Sequence, residues 1–133
     1  TWADPLGLYR CPQDGLERLY RSPHSGNRAQ EQNGLDPANH PDNGRHPGTA
    51  YLGDTEGVAQ QYAAQGIYED GYWEYTMRPE FTTEFPPETY RVPHDNKPGE
   101  YQWIIPRDEI PRFNELIADR QWINFYQGYA WPD

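Results

Sequence analysis

Several side chains in this sequence have the types and spacing that a small-molecule site needs. Arg21 ends a short apolar–polar alternation, Glu17-Arg18-Leu19-Tyr20-Arg21, which stops at Ser22-Pro23. An arginine fork at that point can grip a phosphate or carboxylate through two parallel hydrogen bonds. Tyr51 and Tyr62 have ten residues between them, the first in a strand and the second on the face of the helix that follows. Two phenol rings so placed can wall a slot for a flat aromatic amide held by stacking. Glu100 and Gln102 stand two residues apart at the entry to Tyr101-Gln102-Trp103-Ile104-Ile105, so they share one face of that strand. A tyrosine pair at this separation also arises by chance among 11 tyrosines, and then simply packs the core.

These positions depend on elements that the sequence marks out. The alternation over 17–21 predicts a first strand and Thr49-Ala50-Tyr51-Leu52 a second. Asp54-Thr55 offers a helix N-cap, and Val58, Ala59, Tyr62 and Ala63 repeat at i, i+4 until Gly66. Tyr72 to Met77 reads as a strand with Trp73, Tyr75 and Met77 on one face and Tyr72, Glu74 and Thr76 on the other. Phe81 to Phe85 reads as a further strand, and Tyr101 to Ile105 as a clear one ended by Pro106. Ile110 to Ile117 reads as a helix with Pro111 in its first turn, and Gln121 to Tyr126 as the last strand. Between the first two strands, residues 22–48 form a loop without regular structure, rich in Ser, Gly, Asn, Asp and Pro; its length points to a functional or ligand-ordered role. Val92 to Gly99 reads as a shorter, turn-rich loop. The pattern predicts a single α+β domain without repeats.

Composition sets bounds on the chemistry. The 133 residues carry 11 Lys+Arg against 21 Asp+Glu, a net charge of −10. Residues 1–50 hold five Arg against six acids (net −1), and residues 51–133 hold six bases against 15 acids (net −9). An anionic small molecule therefore meets least repulsion in the first third, while broad nucleic-acid affinity needs more cations than this chain has. Five Trp, 11 Tyr and four Phe supply enough apolar area for a folded core. The single Cys11 makes no internal disulfide. His40, Asp42 and His46 can be drawn as metal ligands, but a fourth ligand is missing, and no metal is expected. No apolar run reaches the roughly 20 residues of a membrane span, and the first residues lack a signal-peptide pattern.

Two resemblances give these residues a context. Trp2 and Asp4-Pro5-Leu6-Gly7-Leu8 resemble the conserved end of the Rhs/YD-repeat core, where a variable C-terminal toxin begins. Residues 1–16 are then the end of that core and a linker, and 17–133 the toxin domain. Leu19-Tyr20-Arg21-Ser22, Tyr51-Leu52-Gly53 through Gln61-Tyr62, and Glu100-Tyr101-Gln102-Trp103-Ile104-Ile105-Pro106 resemble, in order, the three motifs of the ADP-ribosyltransferases. The closest pattern is the His…Tyr-x10-Tyr…Glu of the branch typified by diphtheria toxin and the poly-ADP-ribose polymerases. Arg21 stands where that branch has His, as in the cholera-toxin-like branch, and Gln102 stands where the catalytic Glu usually is.

The resemblance implies an ADP-ribosyltransferase-like split β-sandwich with a few short helices, and NAD as the substrate. Arg21 would hold the NAD diphosphate or ribose, with Ser22 beside it and His24 lining the loop. Tyr51 and Tyr62 would sandwich the nicotinamide. Gln102 would hydrogen-bond the ribose 2′-OH, Glu100 would supply negative charge or deprotonate the acceptor, and the 92–99 loop would present that acceptor. The implied protein is an antibacterial toxin of interbacterial competition, carried into the target cell's cytoplasm by type VI secretion and countered by a cognate immunity protein. Its acceptor would lie in the translation machinery, with elongation factor Tu favoured over ribosomal RNA by the negative charge. Two other functions fit the same residues: a glycohydrolase that depletes NAD, and a binding module without catalysis.

Overall fold

The computed structural model describes residues 15–40, 48–95 and 98–133. Seven strands form one antiparallel sheet: β1 (Arg18–Arg21), β2 (Thr49–Gly53), β3 (Gly71–Met77), β4 (Arg91–Pro93), β5 (Tyr101–Pro106), β6 (Ile117–Tyr126) and β7 (Tyr129–Pro132). Their spatial order is β4-β5-β2-β1-β3-β6-β7. Four short helices accompany them: α1 (Glu56–Ala63), α2 (Phe81–Glu84), α3 (Pro87–Tyr90) and α4 (Ile110–Glu115). The class is α+β, as the pattern predicts.

The sheet is unevenly stitched. β2 runs beside β5 from Thr49↔Pro106 to Gly53↔Gln102, and β1 beside β3 from Arg18↔Thr76 to Arg21↔Trp73. β1 and β2, the central neighbours, share a single register pair, Tyr20↔Gly53. The sheet therefore consists of two halves, β4-β5-β2 and β1-β3-β6-β7, that part on either side of that pair.

Alternation sends the side chains to two cores. On one face Leu19, Ala50, Leu52, Trp73, Tyr75, Met77, Trp103 and Ile105 join Phe81, Phe85, Ile110 and Phe113 in a cluster that spans both halves. Trp73, Tyr75 and Met77 occupy the face expected of them. On the other face Tyr20, Tyr72 and Ile123 pack under Ala59 and Ala63 of α1. Gly53 permits that approach, because a Cβ there would stand 2.7 Å from the Cβ of Val58.

Four expectations need correction. Of the loop expected over 92–99, Val92 and Pro93 belong instead to β4 and pair with Gln102 and Tyr101. Phe81 to Phe85 is not a strand: residues 81–84 are helical, and the i, i+4 pair Phe81 and Phe85 stacks with centroids 5.4 Å apart in the large core. The strand expected over 121–126 begins at Ile117 and is not the last, since Gln127 and Gly128, both with positive φ, turn the chain back into β7. The described part of the 22–48 loop is tied down: Glu31 and Leu35 are buried, and Asn114 both accepts from Leu35 N (2.9 Å) and donates to Leu35 O (2.8 Å). Residues 1–14, including the Asp-Pro-Leu-Gly-Leu motif and Cys11, lie outside the described residues, as do Asp42 and His46. Among the described residues no group of three metal-ligating side chains forms, and no helix is long and apolar enough to cross a membrane.

Candidate functional site

The residues singled out by sequence lie on elements that meet near the parting of β1 and β2. Arg21 closes β1. Its Nε donates to Oε1 of Glu31 at 2.7 Å and its Nη1 to the carbonyl of Tyr51 at 3.0 Å. Glu31 is fully buried, and the Arg21 side chain is 11 % exposed. The guanidinium therefore bridges the 22–40 segment, β1 and β2 where the ladder between the strands has stopped. Asn39 Nδ2 completes the carboxylate at 3.2 Å, and the Tyr75 hydroxyl donates to the Glu31 carbonyl. With Nε and Nη1 so engaged, Arg21 holds the 22–40 segment against β1 and β2 on the face of Leu19 and Tyr75, and touches Tyr51 only through its main chain. Ser22 is buried and donates to the Gly71 carbonyl at 2.9 Å, fixing the end of β1 to the start of β3.

Beyond Ser22 the chain bridges to the segment after α1 through His24↔Tyr68, and the two rings stack with centroids 4.7 Å apart. Tyr68 packs on Tyr62, the last-turn tyrosine of α1, at 5.5 Å. Tyr62 meets His94 edge to face at 5.9 Å, and its hydroxyl is hydrogen-bonded to His94 Nε2 at 3.0 Å. His24, Tyr68, Tyr62 and His94 thus form a continuous aromatic row from the end of β1 to the segment after β4. Tyr51 lies on the sheet face opposite Ala50 and Leu52, the face that carries α1, with Ile104 as its cross-strand partner. Burial first, and then the carboxylate of Asp95, raise the Tyr51 hydroxyl's pKa and keep it protonated.

Glu100 and Gln102 reach the same region through β5. The Glu100 carbonyl accepts from the backbone N–H of His94 at 2.9 Å, and its carboxylate accepts from the Thr55 hydroxyl. Thr55 is the N-cap residue of α1, yet its side chain makes no cap hydrogen bond to its own helix. It anchors Glu100 instead. Gln102 stands opposite Gly53 and Val92, and its amide has no hydrogen-bond partner among the described residues. The neighbouring Asp54 holds this corner together: its carboxylate accepts from Trp103 Nε1 at 2.9 Å and Arg91 Nη2 at 2.8 Å, while Arg91 lies over the Tyr101 ring.

The arrangement supplies aromatic surface, a carboxylate and a primary amide on the α1 side of the sheet. The Arg21 side chain is not among them, because Arg21 pairs with Trp73 and alternates with Tyr20, which puts its guanidinium on the opposite face with Leu19 and Tyr75. The groups on the α1 side can hold a planar heterocycle by stacking and can present negative charge to a developing cation. Sequence reasoning missed His94, Tyr68 and Glu31. His94 had one weak signal, its place between Pro93 and Asp95 in a loop already expected to matter. Glu31 had none. Comparisons with protein-family models, curated proteins and solved structures found no match to this chain.

Proposed function

We propose that the chain is a mono-ADP-ribosyltransferase that takes ADP-ribose from NAD. The observation that carries this reading is the convergence of Tyr62, Tyr68, His24 and His94 in one aromatic row, with Glu100 tied to it through the His94 backbone and Gln102 two residues further on. The motif resemblance implies a split sandwich; the described strands form one sheet whose thinnest seam is the single register pair between β1 and β2.

The chemistry follows from the bond that breaks. The nicotinamide nitrogen leaves with the C1′–N electron pair, and positive charge develops on the ribose. Stacking fixes the departing ring, with Tyr51 and Tyr62 as walls and His94 holding the Tyr62 hydroxyl. The Gln102 carbonyl oxygen orients the ribose through its 2′-OH, and the Glu100 carboxylate faces the developing cation. An acceptor oxygen or nitrogen then bonds to C1′ and gives its proton to Glu100 or to solvent. Aromatic rings, an amide and a carboxylate are the groups that the nicotinamide half of NAD calls for. The phosphates find no such partner in Arg21, whose guanidinium bonds Glu31 and the Tyr51 carbonyl on the opposite face of the sheet.

The wider setting belongs to the same proposal. The domain acts as an antibacterial toxin delivered through type VI secretion, with elongation factor Tu as acceptor and an immunity protein in the producing cell. Incubation with labelled NAD and bacterial lysate should tag one macromolecule; intact NAD and an untagged lysate would overturn the reading. Gln102 favours a second reading, in which water is the acceptor and NAD is depleted, because a neutral amide stabilises charge less than it orients the ribose. Nicotinamide release at the same rate with and without lysate selects that alternative.

A further inference from the structure

A hollow of about 610 Å3 opens between the 26–32 segment and strands β3 and β6, a size within the roughly 300–1,000 Å3 of small-molecule sites. Trp122 forms part of its wall, buried and edge to face with Trp73 at 5.2 Å. The Arg28 guanidinium carbon lies 4.2 Å from the centroid of the Trp122 ring. Trp73 Nε1 donates to the Arg28 carbonyl at 3.0 Å, which fixes the arginine's backbone against that wall. The Arg28 side chain is 38 % exposed. A guanidinium seated on an indole can still take a second planar group on its outer face.

The charges point the same way. Arg120 lines the hollow and has no ion-pair partner among the described residues. Arg28 Nη2 is paired with the carboxylate of Asp133, which also accepts from Asn124 Nδ2 at 3.5 Å. The backbone N–H of Asp133 donates to the Trp122 carbonyl at 3.0 Å. The chain thus already seats one carboxylate on the stacked guanidinium. Glu69, the other acid on the rim, accepts from the Gly26 backbone N–H.

We propose that this hollow binds a planar ring bearing an anionic group, the chemistry of a nucleoside monophosphate, and that Asp133 is the internal anion such a ligand displaces. The site goes beyond the NAD-cleavage reading and does not depend on it. The hollow opens on the face of Trp73 and Trp122, opposite the α1 side. Its rim residues Gly26 and Glu69 lie at the sheet end next to His24 and Tyr68, so the ligand is either a free mononucleotide or the adenylate half of a dinucleotide that passes round that end from the aromatic row.

Adenosine monophosphate titrated into the full chain, followed by tryptophan fluorescence, tests the site. The expected result is a saturable change, with binding about twofold to fivefold tighter in Asp133→Asn, in keeping with release of an exposed ion pair, and weaker by at least that factor in Arg120→Gln. Near-ultraviolet circular dichroism checks that both variants fold. If the mononucleotide also competes with NAD in nicotinamide release, the ligand is the dinucleotide's adenylate half. If it binds without such competition, or to a chain that leaves NAD intact, the ligand is the free mononucleotide; either pattern upholds the site. No saturable change at millimolar nucleotide in the wild type and Asp133→Asn, or binding indifferent to both substitutions, overturns it.

Discussion

The hydroxyl of Tyr62 lies 3.0 Å from Nε2 of His94, and the backbone N–H of His94 in turn donates to the carbonyl of Glu100. One buried imidazole therefore ties the last turn of α1 to the segment that leads into β5. It determines where the Tyr62 ring stands and, through the main chain, where Glu100 begins.

That relationship makes His94 a positioning residue for Tyr62. His94→Ala and Tyr62→Phe each remove the same hydrogen bond, worth about 0.5–1.5 kcal/mol. Each should raise KM for NAD about threefold to tenfold while kcat stays within about twofold. The double variant should be no worse than the singles, because the pair acts as a unit. Steady-state nicotinamide release gives all three values. Fully additive losses would show that the two residues act separately.

Arg21 and Glu31 form a buried ion pair whose partners come from β1 and the segment after it. Removing one member leaves the other charge buried and unpaired, at a cost of about 3–5 kcal/mol. Glu31→Ala should lower the urea midpoint accordingly, and Arg21→Ala should do the same and free the Tyr51 carbonyl as well. The joint replacement Arg21→Met with Glu31→Leu should recover most of that stability but not NAD turnover. Recovery of both properties would show that the guanidinium has no role beyond packing.

Much of the fold is visible in the sequence because strands β2, β3 and β5 carry their own signals. Alternation puts Trp73, Tyr75 and Met77 on one side, and Pro106 ends β5. Phe81 to Phe85 misleads because two aromatics four residues apart around polar ones suit a short helix as well as a strand end, and only the surrounding core decides between them. The aromatic row is half visible: Tyr62 follows from the helix period, whereas His94 and Tyr68 are brought in by contacts between segments distant in sequence. Glu31 is invisible for a related reason. A carboxylate in a polar stretch reads as solvated until Arg21, ten residues earlier, folds against it.

His40 provides a pH test of the same region. It is buried at the end of the 22–40 segment, and burial first, then the nearby Arg21 charge, lower its pKa to about 4; the Thr49 backbone and the Asp36 carboxylate oppose that shift. In the unfolded chain the imidazole titrates near 6.5. Between about pH 6.5 and 4 the unfolded state therefore binds more protons, and folding stability falls as the pH drops through that window. His40→Gln should flatten this part of the stability profile without changing it above pH 7. Urea midpoints at pH 7.5, 5.5 and 4.5 measure the difference; parallel profiles for the two proteins would contradict it.

The division of labour between Glu100 and Gln102 can be read from two rates. Glu100 is the carboxylate held by Thr55 beside the aromatic row, and Gln102 the amide that faces Gly53 across the ladder. If Glu100 takes the acceptor's proton, Glu100→Gln should reduce transfer to lysate acceptors about 100-fold or more, while nicotinamide release to water falls much less. Gln102→Ala should slow both equally, because ribose orientation precedes either outcome. Gln102→Glu adds negative charge next to the developing oxocarbenium and should speed nicotinamide release, provided Thr55 still anchors Glu100. Thr55→Val removes that anchor and should reproduce part of the Glu100→Gln defect. Equal effects of Glu100→Gln on transfer and release would move the proton acceptor elsewhere and leave Glu100 as electrostatic support alone.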